Sequence, residues 1–238
     1  IRLLLSSLGK LGCKKIVLKG IRYEEGKLIR KAFVPKDREN ALILSADYSQ
    51  VELRLLAHVA QDKNLIEAFN SGEDVHSITA SKVFNVPLSE VTKEMRYKSK
   101  AVNFGIIYGQ SKYGLAKALG ISSSDAEDFI NKYFKLYPAI KDYMENIVKF
   151  AQKNGYVETM FGRRRYLDVE LNSSNFMVRE FAKRAAINHP MQGSAADLIK
   201  MAMIRLDNGL KNMKSKSISV PYDMHHIIIS KRITTGRE

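Results

Sequence analysis

Cysteine is almost absent from this chain of 238 residues: Cys13 stands alone, so an intrachain disulfide and a cysteine-based zinc site are both excluded. No apolar run approaches the roughly 20 residues that span a bilayer. The N-terminal stretch lacks the signal-peptide order of charged, apolar and small segments, and it opens on Ile1 rather than Met, as a fragment would. Internal repeats and low-complexity segments are missing as well. Acids are the scarce charge, 25 Asp+Glu against 39 Lys+Arg, a formal charge of +14. A pI near 9.7 points either to a polyanionic partner such as nucleic acid or to a solvated basic surface. What is present is ordinary for a globular chain, 45% apolar and 27% charged residues, enough for a sizeable core in one or two domains.

The first acid is Glu24, and from there the pattern becomes regular. ALILSA at 41–46 is an apolar run of strand length, followed by DYSQ and then QVELRLLAHVA, which reads as helix. Ser49 and Glu52 have capping-box spacing, which places Asp47 at a strand end beside a helix N-terminus. KEMRYKSKAVNFGIIYG reads as a basic amphipathic helix stopping at Gly109. A further helix starts at Ser122–Ser124, is broken or kinked at Pro138, and gives way to one that closes at Gly155. YVETMFGRRRYLDV reads as a short strand pair around Gly162. VREFAKRAAINHPMQGSAADLIKMAMIRL is expected to be helical on both sides of an interruption at Pro190, and the β-branched tail SISVPYDMHHIIIS to be strand.

Several side chains invite a chemical reading. Arg96, Lys100, Phe104 and Tyr108 recur every fourth residue, so two cations and then two rings lie along one helix stripe. Two cations a turn apart can grip successive phosphates, and a ring beyond them can stack on a base or sugar. A solvated cationic end followed by a buried aromatic end has the same spacing. Asp47 is either a helix cap or a Mg²⁺ ligand, since Mg²⁺ takes carboxylates together with substrate phosphates. Glu52 is either a capping partner or a residue facing a ligand. His76 in DVHS is either a phosphate donor or an ordinary helix-start histidine. Arg184, Asn188 and Gln192 are again four apart; such donors suit the minor-groove acceptors that every base pair presents, or solvent. Arg163, Arg164 and Arg165 make a basic patch.

Taken together and in order, DYSQVELRLLAH, MRYKSKAVNFGIIYG, YVETMFGRRRYL and REFAKRAAINHPMQGSAADLIKMAMIRL closely resemble family A DNA polymerases, the DNA polymerase I type, from about Glu24 to about Leu206. The first string resembles that family's motif A and the second its motif B. The resemblance implies an α+β fold, a palm with an antiparallel sheet plus helical fingers, incomplete at both ends. It implies a poorly matching stretch at 1–23, palm at 24–60, fingers at 61–183 and palm again at 184–238. It also implies template-directed addition of deoxynucleotides to a primer 3′-hydroxyl with two Mg²⁺ ions, in DNA replication or repair. Primer-template DNA and deoxynucleoside triphosphates are the implied partners of a monomer that engages no membrane. A bacterial-type enzyme of this kind is cytoplasmic, and organelles use the same family. Residue by residue, Asp47 and the Tyr48 carbonyl match metal ligands. Glu52 matches the residue that crowds the sugar 2′ position. His76, Arg96 and Lys100 match positions that hold the triphosphate, Phe104 and Tyr108 the rings beside the nascent pair, and Arg184, Asn188 and Gln192 contacts to primer-template. Tyr97 stands where many relatives have a second Arg.

The pattern fails at both ends. The tail VPYDMHHIIIS stands where the family has His-Asp-Glu, whose Asp is the second metal ligand. Asp223 is the candidate for that carboxylate, with His225 or His226 taking its place if the connection is slightly longer. If neither supplies an acid, the alternative is a non-catalytic DNA-binding remnant without a complete metal site.

Overall fold

The computed structural model describes residues 41–212, 218–221 and 226–232, with side chains described over 48–212. It is mostly helical with a small antiparallel sheet, and it divides into two compact units. One unit carries the sheet and the end of the last helix from Ile199 onward; the other is Ser49–Leu198.

In the first unit, β1 (Ala41–Asp47) and the strands later labelled β4 (Ile218–Pro221) and β5 (His226–Arg232) pair antiparallel in the order β1-β5-β4. The apolar run at 41–46 is strand, and so are the described residues of the β-branched tail, as their composition predicts. The register sets Asp47, the last residue of β1, opposite His226, the first of β5.

The second unit begins with α1 (Val51–Ala60), α2 (Lys63–Asn70) and α3 (Val75–Phe84). A 3₁₀ turn at Leu88–Glu90 leads to α4 (Lys93–Ile107), α5 (Lys112–Leu119), α6 (Ser123–Leu136) and α7 (Pro138–Asn154). Short polar side chains start five of these helices: Asp62, Asp74, Thr92, Ser111 and Ser122 each accept from a backbone N–H three residues on. The expected box at Ser49 does not form. The cap is Gln50, in left-handed backbone and without a side-chain cap bond, so Glu52 sits one position too early to close the box.

Pro138 ends α6 and begins α7, where its missing N–H costs nothing. Asp62 ties that junction to α2, accepting from the Ala139 N–H at 3.1 Å, while Asn64 donates to the Leu136 carbonyl at 2.7 Å. Leu53, Leu56, Leu65, Ile107, Tyr133, Tyr137 and Ile140 fill the main core.

Gly155 closes α7 with a left-handed φ of 77°. The expected strand pair follows, β2 (Tyr156–Glu158) and β3 (Arg164–Tyr166), and then a short α8 (Asp168–Leu171). The last helix, α9, runs unbroken from Phe176 to Asn212 with Pro190 inside it. The expected interruption is absent. Proline forfeits one ladder bond there, but burial of Ala186, Met191 and Ala195 on its flanks keeps the helix going. The β2–β3 hairpin is pinned to it as well. Thr159 donates to Asp197 at 2.9 Å, the Met160 N–H to Ser194 at 2.9 Å, and Arg163 to Asp197 and the Gly193 carbonyl at 3.0 and 2.9 Å. Arg163 is therefore a clamp rather than part of an open basic patch. Arg164 lies over the Tyr156 ring at 4.3 Å and pairs with Glu158.

Close approach of hairpin to helix depends on Gly193, where a Cβ would stand 2.6 Å from Thr159 Cγ2 and 3.3 Å from Arg163 Nη2. Gly209 on the same helix has open space around it. Gly193→Ala is expected to destabilise the protein by about 1–3 kcal/mol. Gly209→Ala is expected to stabilise it by about 0.5–1 kcal/mol. Urea unfolding of the two variants checks the opposite signs.

Candidate nucleotide and nucleic-acid site

The stripe predicted on the basic helix exists on α4. Thr92 caps it, accepting from the Met95 N–H at 3.2 Å, and the buried face consists of Ser99, Val102, Asn103 and Ile106. That fixes the opposite face outward: Arg96 and Lys100 are exposed and Phe104 half-buried. Tyr108 follows the helix as its C-cap and is 44% exposed, so the aromatic end of the stripe is not simply core. The helix stops there because Gly109 takes a φ of 60°, and the Arg184 side chain lies where a Cβ on Gly109 would be.

Helix α3 meets this stripe through its first turn. Asp74 caps α3, accepting from the Ser77 N–H at 2.9 Å, and also receives a two-pronged bond from Arg96, Nε at 2.8 Å and Nη2 at 3.0 Å. Burial pushes the Asp74 carboxyl up, but the bonds from Arg96 and Ser77 outweigh it and hold it down at about 2. His76, two residues on, is only 2% exposed, with its ring 5.7 Å from that of Phe104. Burial lowers its pKa to about 4; Asp74 opposes the shift, and Arg96 and Lys100 add to it. His76 is thus a neutral imidazole at pH 7, not a third cation.

A second pair closes the far end of the stripe. Tyr108 donates its hydroxyl proton to Glu52 at 2.8 Å, and Glu52 is only 3% exposed. Burial first, and then the Glu52 carboxylate, hold the Tyr108 phenol well above its ordinary pKa. The structure therefore brings Arg96 to Asp74, His76 to Phe104, and Glu52 to Tyr108; Lys100 is one turn from Arg96. Arg184, Asn188 and Gln192 share one stripe of α9, all half-buried. Two residues of this site escaped the sequence reading. Asp74 was readable as a cap in EDVHS, with Ser77 three residues on, but its partner Arg96 is 22 residues away. Asn103, buried on the inner face of α4, carries no sequence signal of its own.

Asp47 belongs to the sheet unit, where its strand partner is His226 rather than an acid. Tyr48, beside it, is exposed. A carboxylate is the donor type that Mg²⁺ takes, but among the described residues no group of three or more His, Cys, Asp or Glu could hold a metal ion. Asp223 and His225 lie outside the described residues. Among the described residues, no helix is long and apolar enough to cross a membrane.

Comparison with known proteins shows the family. The model of DNA polymerase family A matches residues 3–228, wider than the span of the motifs. DNA polymerase I of Caldicellulosiruptor bescii is 52% identical over 205 residues, covering 85% of this chain and 24% of that protein. DNA polymerase I of Bacillus caldotenax is 56% identical over 191 residues, 80% of this chain and 22% of that protein. The chain spans about a quarter of the length of these curated relatives. Among solved structures, the polymerase domain of Pol1 from M. smegmatis, in complex with DNA primer-template and dNTP, superposes with a TM-score of 0.83 at 46% identity. It covers 91% of this chain, and 37% of that chain is matched.

The Asp74 carboxylate supplies the testable stability element here. Asp74→Ala removes a cap and the Arg96 bond together, and is expected to cost about 1 kcal/mol at pH 7. Because the folded-state pKa is depressed, the wild-type advantage is full above the ordinary 3.8 and fades as pH falls towards 2. Urea unfolding of both proteins at neutral and acid pH measures it.

Proposed function

The chain belongs to DNA polymerase family A, and from that premise we propose that it is the nucleotide-binding part of a template-directed DNA polymerase. The observation that carries the reading is the α4 stripe, two exposed cations and then two rings, bordered by a neutral histidine and a buried glutamate. In the proposed reaction a primer 3′-hydroxyl oxygen bonds to the α-phosphorus of a deoxynucleoside triphosphate, the bond to the bridging oxygen breaks, and pyrophosphate leaves. Arg96 and Lys100 hold the charge of the triphosphate. Arg96 gives up part of its bond to Asp74 to do so, exchanging one anion for another. His76 donates to a phosphate oxygen. Phe104 and Tyr108 face the nascent pair, and Glu52, held by Tyr108, crowds the sugar 2′ position. Arg184, Asn188 and Gln192 contact the primer-template near its end, as donors that sense pairing geometry without reading sequence. In this reading residues 24–60 and 184–238 are palm and 61–183 fingers.

Two Mg²⁺ ions, when bound, would stabilise the attacking and leaving oxygens. Asp47, the Tyr48 carbonyl and Asp223 are their proposed ligands. A second reading rests on His226 opposite Asp47: a DNA-binding polymerase remnant whose metal site is incomplete.

Primer extension separates the two. The polymerase reading expects Mg²⁺-dependent incorporation that Asp47→Ala abolishes. Lys100→Ala is expected to lower kcat/KM for the incoming nucleotide by about 10- to 100-fold, the worth of a charge-assisted bond. Glu52→Ala is expected to raise ribonucleotide incorporation relative to deoxyribonucleotide by about 10- to 100-fold. Salt-sensitive DNA binding without incorporation, unchanged by Asp47→Ala, is the outcome of the second reading.

A further inference from the structure

A buried chain of polar groups between α3 and α4 is not used by the mechanism above, and its donors and acceptors can be assigned one by one. The start is the Val75 carbonyl, which can only accept. Thr79 Oγ1 lies 2.8 Å from it, so the hydroxyl proton is committed to that bond and the oxygen is left as an acceptor. Two groups face that oxygen, the Tyr137 hydroxyl at 3.0 Å and Asn103 Nδ2 at 3.4 Å, and both must donate. The Asn103 amide is thereby oriented with its NH₂ towards Thr79. The same nitrogen lies 2.9 Å from His76 Nδ1, and its second N–H needs an acceptor there. A neutral imidazole that accepts at Nδ1 carries its proton on Nε2.

The reversed amide fails the same accounting. It would set Asn103 Oδ1 against a Thr79 oxygen with no proton to give. It would also bury two N–H groups where Oδ1, buried without a partner, now leaves one acceptor unmet. Thr79 and Asn103 are fully buried, so water does not offer an easy substitute.

We propose that Thr79 and Asn103 are positioning residues that fix the imidazole of His76 in its Nε2–H form, so that His76 meets a nucleotide triphosphate as a neutral hydrogen-bond donor. The ligand in this inference rests on the nucleotide reading above; the relay does not. A neutral donor adds a directed bond without a third positive charge beside Arg96 and Lys100, whose fields both reach the ring.

Two-bond ¹H–¹⁵N correlation on the full chain labelled with ¹⁵N-histidine reads the tautomer directly. The expected result at pH 7 is an unprotonated Nδ1 and a protonated Nε2 on His76. Thr79→Val removes the acceptor that orients the amide and is expected to give a mixture of tautomers, while Thr79→Ser restores the single form. Asn103→Asp presents an acceptor to Nδ1, moves the proton there, and is expected to weaken dATP binding about 10-fold. A wild-type His76 protonated on Nδ1, or a tautomer unmoved by both Thr79→Val and Asn103→Asp, overturns the proposal. Titration of the labelled wild type with dATP distinguishes the two layers. A shift at Nε2 supports the triphosphate contact, and an unmoved Nε2 on a correctly protonated ring overturns that contact while leaving the relay standing.

Discussion

Asp74 is asked to satisfy two claims with one carboxylate. It caps α3 through Ser77 and it holds the Arg96 guanidinium of α4. A helix start cannot leave its N–H groups bare, and a cation beside it must be matched, so the first turn of α3 and the outer face of α4 are locked to one geometry. Once they are locked, the inner faces of the same two helices meet as a buried polar seam of His76, Thr79 and Asn103, sealed by Tyr137. The outward stripe of α4 inherits its aim from that seam. Rotating α4 by one residue, about 100° of turn, would take Asn103 off His76 and Arg96 off Asp74.

The same fixed geometry sorts the charges by function. Arg96 and Lys100 stay exposed and cationic, while His76, a few ångströms inside, is kept neutral by burial. At the other end Glu52 is buried but bonded by Tyr108, which ties α1 to the end of α4. In the proposed reading an anion arriving at the stripe meets the exposed cations first and the buried donor His76 second. In that reading Arg96 is the member that trades partners, leaving its bond to Asp74 for the anion.

Much of this was legible in the sequence. The four-residue spacing from Arg96 to Tyr108 marked the stripe, Ser122–Ser124 marked the start of α6, and Pro138 and Gly155 marked helix ends. Alternation and β-branching located the hairpin and the sheet. What was not legible depends on distant partners. Ser49 and Glu52 had the right spacing for a box, but the helix starts one residue later, and Glu52 finds Tyr108 56 positions away instead. Pro190 carries a local signal to stop, which packing along α9 overrides. Arg163 belongs to a run of three arginines that reads as a surface patch, and only the fold supplies Asp197 as its partner. The motif strings carried the family, and the family match extends beyond them at both ends.

The central claim is that the outward face of α4 holds a triphosphate. Brief acetylation of the chain with and without dATP, read lysine by lysine by mass spectrometry, tests it most directly. The account predicts that dATP protects Lys100 while leaving Lys98, paired to Glu94 on the same helix, and Lys132 on α6 labelled as before. Equal labelling of Lys100 with and without dATP would contradict it.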